Sequence, residues 1–100
     1  MKEIKIIHEK DKDNKGINIT LSILNQLKAI SKWTDIEKMV YYVDVMKKLR
    51  VNESAESLEL DKDELSIIID CFEKAAKSGD VLGQGIDAFV AVYQSFKDAK

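Results

Sequence analysis

The sequence predicts an α+β domain that is mostly α: a three to four helix bundle with an N-terminal β-hairpin and a short third strand at Leu58–Leu60. Three observations carry this. Apolar and polar residues alternate near the N-terminus, the mark of a half-buried strand, and from Ile23 onward apolar residues return at steps of three and four, the mark of a helix face. Between these stretches stand capping residues and glycines that start and stop helices. A chain of 100 residues is the size of one domain, so residues 1–100 are read as a single unit. Proline is absent and only four glycines occur, so nothing has the composition of a linker.

Each element follows from its residues. Residues 3–8 read as a strand with Ile4 and Ile6 on one face and Glu3 and Lys5 on the other. The polar run Asp11 to Gly16 is a turn, and alternation resumes at Ile17, Ile19 and Leu21, which closes a hairpin. The first helix starts near Thr20 or Ser22, lines up Ile23, Leu24, Leu27 and Ile30, and ends around Ser31–Trp33. Thr34-Asp35-Ile36-Glu37 fits a capping box, so a second helix runs from about Asp35 to Arg50. Its core face is read as Ile36, Met39, Val40, Val43, Met46 and Leu49, and its basic end suits the helix dipole. Asn52–Ser57 is a loop. Asp61-Lys62-Asp63-Glu64 is a second capping box, opening a third helix that carries Leu65, Ile68, Ile69, Phe72, Ala75 and Ala76 and stops at Gly79. A fourth helix is spelled by Leu82, Ile86, Phe89, Tyr93 and Phe96, with Gly83 and Gly85 weakening its first turns by about 1 kcal/mol each.

The chemistry motifs fail on inspection. Asp11, Asp13 and Gly16 stand at the first, third and sixth positions of a calcium loop, but Lys15 takes a ligand position and Ser22 replaces the closing glutamate. Gly83-Gln84-Gly85 with Ala88 resembles a dinucleotide fingerprint, yet too little chain follows for a βαβ unit. Cys71 and His8 are the sole residues of their kinds, so there is no intramolecular disulfide and too few ligands for zinc. Cys71 sits mid-helix beside Asp70, where nothing favours a thiolate. The carboxylates near Asp61 are explained by a helix start, and a chain this short has little material for a catalytic cleft. No enzyme activity, cofactor or metal is expected.

The formal charge of −2 is spread unevenly: Glu53, Glu56, Glu59, Asp61, Asp63 and Glu64 crowd one stretch against Lys62 alone. That stretch reads as a solvated loop and helix start, or more sharply as an acidic docking surface. A phosphate-neutralising basic stripe is missing, and a helix-turn-helix reading would point Asp35 and Glu37 at phosphates, so nucleic acid is disfavoured as a partner. Neither a signal peptide nor a run long enough to span a bilayer stands out, which leads to the expectation of a cytoplasmic protein without membrane contact.

What remains is apolar surface in excess of one core stripe per helix. Tyr41 and Val45 lie away from the face assigned to the core, and Tyr, Trp and Met are enriched at interface centres. The expected partner-binding residues are therefore Trp33, Tyr41, Tyr42 and Val45, rimmed by Glu53, Glu56 and Glu59. The same faces equally suit central helices buried on several sides.

Gly16-Ile17-Asn18-Ile19-Thr20-Leu21, the helix around Lys38-Met39-Val40-Tyr41-Tyr42-Val43, and the junction Leu58 to Leu65 together resemble small uncharacterised proteins encoded by tailed phages and prophages. The resemblance spans roughly residues 16–97. It departs from the family pattern in the second helix, where Tyr41 or Tyr42 stands in place of a tryptophan. It implies a phage-type accessory protein acting on another protein in the host cytoplasm, and carries over no functional residue. The function expected is a non-enzymatic protein-binding module; a homo-oligomeric assembly component, with the chain as its own homodimer partner, and a nucleic-acid-binding regulator are the alternatives.

Overall fold

The computed structural model describes residues 1–79, 81 and 83–99. Among the described residues four strands and four α-helices follow along the chain, so the helix count takes the upper expected value and the fold is α+β, mostly α. Strand β1 (Lys2–Lys5) pairs antiparallel with β4 (Ser57–Leu60), placing Ile4 opposite Leu58. Strand β2 (His8–Lys10) forms a separate hairpin with β3 (Gly16–Asn18). The strand expected over residues 3–8 is thus two strands with different partners, and the third strand is real but pairs with the first.

At the break, Ile6-Ile7, both backbone N–H groups and the Ile7 carbonyl find partners outside the two ladders, which helps the chain tolerate it. Ile6 donates its N–H to the Glu56 carbonyl at 2.8 Å. Ile7 donates to Thr20 Oγ1 at 2.9 Å, and its carbonyl accepts from Ile19 N–H at 2.8 Å. The hairpin loop is built on Asp11, whose Oδ1 accepts from the N–H groups of Asp13 and Lys15 at 2.9 and 2.8 Å. Asn14 takes the left-handed turn position at φ 63°, a conformation asparagine tolerates. The first carboxylate of the calcium-like pattern is therefore occupied in closing the turn.

The return strand stops earlier than its alternation suggests, because Asn18 caps the next helix. Its Oδ1 accepts from Leu21 N–H at 2.9 Å, starting α1 (Ile19–Ile30), while its Nδ2 donates to the Glu53 carbonyl at 2.9 Å. One side chain thus ends a strand, starts a helix and holds the loop before β4. Helix α2 (Ile36–Val51) is capped by Asp35, whose carboxylate accepts from Glu37 N–H, rather than by the expected Thr34 box. Asp35 accomplishes the same satisfaction of an orphan N–H one residue later.

Helix α3 (Lys62–Ser78) carries the expected capping box in full: Asp61 accepts from Glu64 N–H at 2.8 Å and Glu64 Oε1 accepts from Asp61 N–H at 3.1 Å. Gly79 ends it at φ 74°, the left-handed position that favours glycine. A 3-10 turn, Gly83–Gly85, then leads into α4 (Ile86–Lys97). The start of the last helix is thereby fixed beyond the two glycines, and the expected contribution of Leu82 lies outside the described residues.

One core joins all these elements. Ile4 and Leu60 from the β1–β4 sheet, with Ile6 just beyond β1, meet Leu24 and Leu27 of α1, Leu49 of α2, Ile68 and Phe72 of α3, and Val92 and Phe96 of α4. Phe72 is its aromatic hub, with ring centroids 4.9 Å from Phe89, 5.8 Å from Tyr93 and 5.9 Å from Phe96. In α4 the buried positions are Val92 and Phe96, whereas Ile86, expected in the core stripe, is exposed.

Candidate protein-binding surface

Helix α2 has two apolar arcs, and of the face expected in the core the structure keeps Met46 and Leu49 buried but leaves the N-terminal part outside. Tyr42, Val45, Met46 and Leu49 face the core, with Tyr42 1% and Val45 0% exposed. Ile36, Val40 and Val43, read from sequence as core, are 70%, 53% and 44% exposed. Tyr42 and Val45 are accordingly corrected from surface anchors to core residues. The Tyr–Val–Met–Leu arc stays apolar to the end of the helix, while the Ile–Val–Val arc runs into Lys47 and Arg50, charges that a core does not take.

Burial has fixed the Tyr42 hydroxyl as well. It donates to the Leu24 carbonyl of α1, and the ring meets Trp33 edge-on with centroids 5.0 Å apart and planes at 72°. Removal from water pushes the Tyr42 phenol far above its ordinary value, and the nearby Cys71 adds to the shift. Trp33 is half-buried and donates Nε1–H to the Lys28 carbonyl at 3.1 Å. It therefore packs against α1 and Tyr42 rather than standing free. Tyr41 is half-buried on the flank of α2.

The three rim glutamates come from three different local settings. Glu53 lies in the loop after α2 with its carbonyl tied to Asn18. Glu56 is exposed and its carbonyl continues the β1–β4 pairing. Glu59 projects from the outer face of β4, directly opposite Glu3. Like charges facing each other across a ladder are mildly destabilising, so this pair does not contribute to sheet stability. Glu64 belongs to the fold: it is buried, and Lys48 Nζ reaches its Oε1 at 2.6 Å.

Two of the concave features lie beside the aromatic residues of the core. A cleft of about 190 Å³ lies where the α1–α2 connection passes α3, walled by Trp33, Lys38, Asp70, Cys71 and Lys74. Burial pushes the Cys71 thiol up, and Asp70 adds to this against the lowering effect of Lys74, Ser31 and Lys38. A thiol held protonated is a poor nucleophile at neutral pH. Lys74 is engaged with Asp70 at 2.9 Å. A shallow apolar groove runs between α3 and α4 over Phe72, Ala76, Phe89, Val90 and Tyr93. The Tyr93 hydroxyl donates to Glu73 Oε2 at 2.8 Å along it.

Among the described residues no group of three or more His, Cys, Asp or Glu side chains is placed to hold a metal ion. No described helix is long and apolar enough to cross a membrane. The exposed Ile36–Val40–Val43 stripe is the feature that sequence reasoning placed on the wrong side. Its signal was present in the way Lys47 and Arg50 continue the same stripe, since a core-facing stripe does not end in charges. Comparison with known protein families, with curated proteins and with solved structures finds no match to this chain.

Proposed function

We propose that this protein is a non-enzymatic protein-binding module that works through the outer face of α2. The observation that supports this reading is the row Ile36, Val40 and Val43, three branched apolar side chains left in water on a helix whose opposite side already fills the core. A helix needs one apolar face to dock on its own domain, and a second contiguous one is the usual mark of an interaction surface. The cytoplasmic phage-type accessory role implied by the sequence resemblance is compatible with such a module and forms part of the proposal.

Differential capture tests it. Immobilised wild-type protein and a Val40→Glu/Val43→Glu variant are exposed to the same cell extract, and bound proteins are identified by mass spectrometry. Surface changes of this kind alter stability by about 0.5 kcal/mol or less, so helicity should be unchanged while specific partners are lost. Identical sets of captured proteins from both baits would overturn the reading.

A further inference from the structure

The outer face of α2 is spaced for another helix, and its charges indicate which one. Ile36, Val40, Val43, Lys47 and Arg50 follow one another at steps of four, three, four and three residues, the alternation of a two-stranded coiled-coil seam. Acid lies at the start of the helix, in Asp35 and Glu37, and base at its end, in Lys47 and Arg50. We propose that this face pairs with the same face of a second copy, antiparallel about a two-fold axis close to Val40 and Val43. The inference rests on the reading of this face as a protein-binding surface, and names its occupant.

An antiparallel copy is the arrangement that satisfies both the seam and the charges. Val40 packs against Val43 of the second copy, twice by symmetry, and Lys47 lays its aliphatic stem over Ile36 while its ammonium reaches Glu37. Asp44 lies on the same flank as Glu37 and comes near Glu37 of the second copy, a repulsion that the Lys47 ammonium beside them offsets. A parallel pair would instead stack Lys47 on Lys47 in the seam. The helix dipoles also align favourably only in the antiparallel sense. One short helix pair covers less than the about 1,600 Å² of a standard interface, so the dimer is weak and exchanges with monomer.

Sedimentation equilibrium over a wide concentration range tests the proposal on the full chain. Wild type should shift from monomer towards dimer as concentration rises. Glu37→Lys or Lys47→Glu alone should weaken the dissociation constant about tenfold or more, because the two-fold axis duplicates each contact. The combined Glu37→Lys/Lys47→Glu variant should restore it. The two positions lie about 15 Å apart along one helix, so an intrachain pair cannot produce that rescue. All these residues are exposed, and circular dichroism checks that each variant is folded. A strict monomer at every concentration overturns the inference. If outer-face substitutions still abolish capture of another protein in that case, the broader reading survives without it. A dimer indifferent to charge reversal overturns the inference too.

Discussion

Tyr42 separates two accounts of α2 more sharply than any other residue. As a surface anchor it would matter to a partner and little to the fold; as a core residue the reverse holds. The structure buries the whole ring, donates its hydroxyl to the Leu24 carbonyl and sets it edge-on against Trp33. Tyr42→Phe removes the hydroxyl alone. A buried neutral hydrogen bond contributes about 1 kcal/mol, and the Leu24 carbonyl, mid-helix, keeps its N–H partner one turn on. The expected loss is thus about 1 kcal/mol, or roughly 4–8 °C in Tm for a domain of this size. Tyr42→Ala removes the ring as well, leaving a cavity that costs about 3–5 kcal/mol on top of the hydrogen bond. Since a domain of this size is stable by about 5–15 kcal/mol in total, the alanine variant should sit close to unfolding at 37 °C. Urea and thermal melts by circular dichroism measure both changes, and fluorescence of Trp33, the sole tryptophan, reports on the packing around residue 42 itself. If Tyr42→Ala loses less than about 1 kcal/mol while abolishing partner capture, the core assignment is wrong.

Two further predictions concern charge and pH. Glu64→Ala removes the side chain that both closes the α3 capping box and accepts from Lys48. The cap contributes about 1 kcal/mol, while the ion pair adds little because the lysine is more than one-third exposed; a loss of about 1–2 kcal/mol in urea unfolding is expected, and Glu64→Gln should recover part of it. Alkaline pH should weaken the fold through Tyr42 and Cys71. Both acids are raised above their ordinary values of 10.0 and 9.0 by burial first. From about pH 9 upward the unfolded chain releases these protons while the folded chain retains them, so stability present below that range is lost as pH rises. Tm measured between about pH 8 and pH 11 should fall in wild type and fall less steeply in Tyr42→Phe/Cys71→Ser. Equal slopes would show that neither group is desolvated as the structure has it.

Local chemistry was legible wherever it was self-contained. Asp61, Glu64 and Gly79 bound α3 as read, because a capping box and a left-handed stop need only residues within one or two turns. Ile4 and Ile6 are buried as their alternation implies. What could not be read was partner choice between distant segments. Nothing in residues 2–5 specifies that they pair with residues 57–60 rather than with the hairpin, since that pairing depends on where the helices deliver each strand. Helix α2 shows the same limit from another side. Two arcs of similar hydropathy give a helix no preferred inward face by periodicity, and the choice between them falls to packing: an arc bearing Tyr42, Met46 and Leu49 fills the space beside Leu24 and Ile68, which Val40 and Val43 would leave partly empty. The arc left outside keeps its seam-like spacing, ends in Lys47 and Arg50, and starts beside Asp35 and Glu37. Those charges disfavour burial within the domain and favour a neighbour whose charges run the other way. The same residues that make the outer arc a poor core are the ones on which the proposed interface rests, so one distribution of side chains bears on both burial and the proposed recognition.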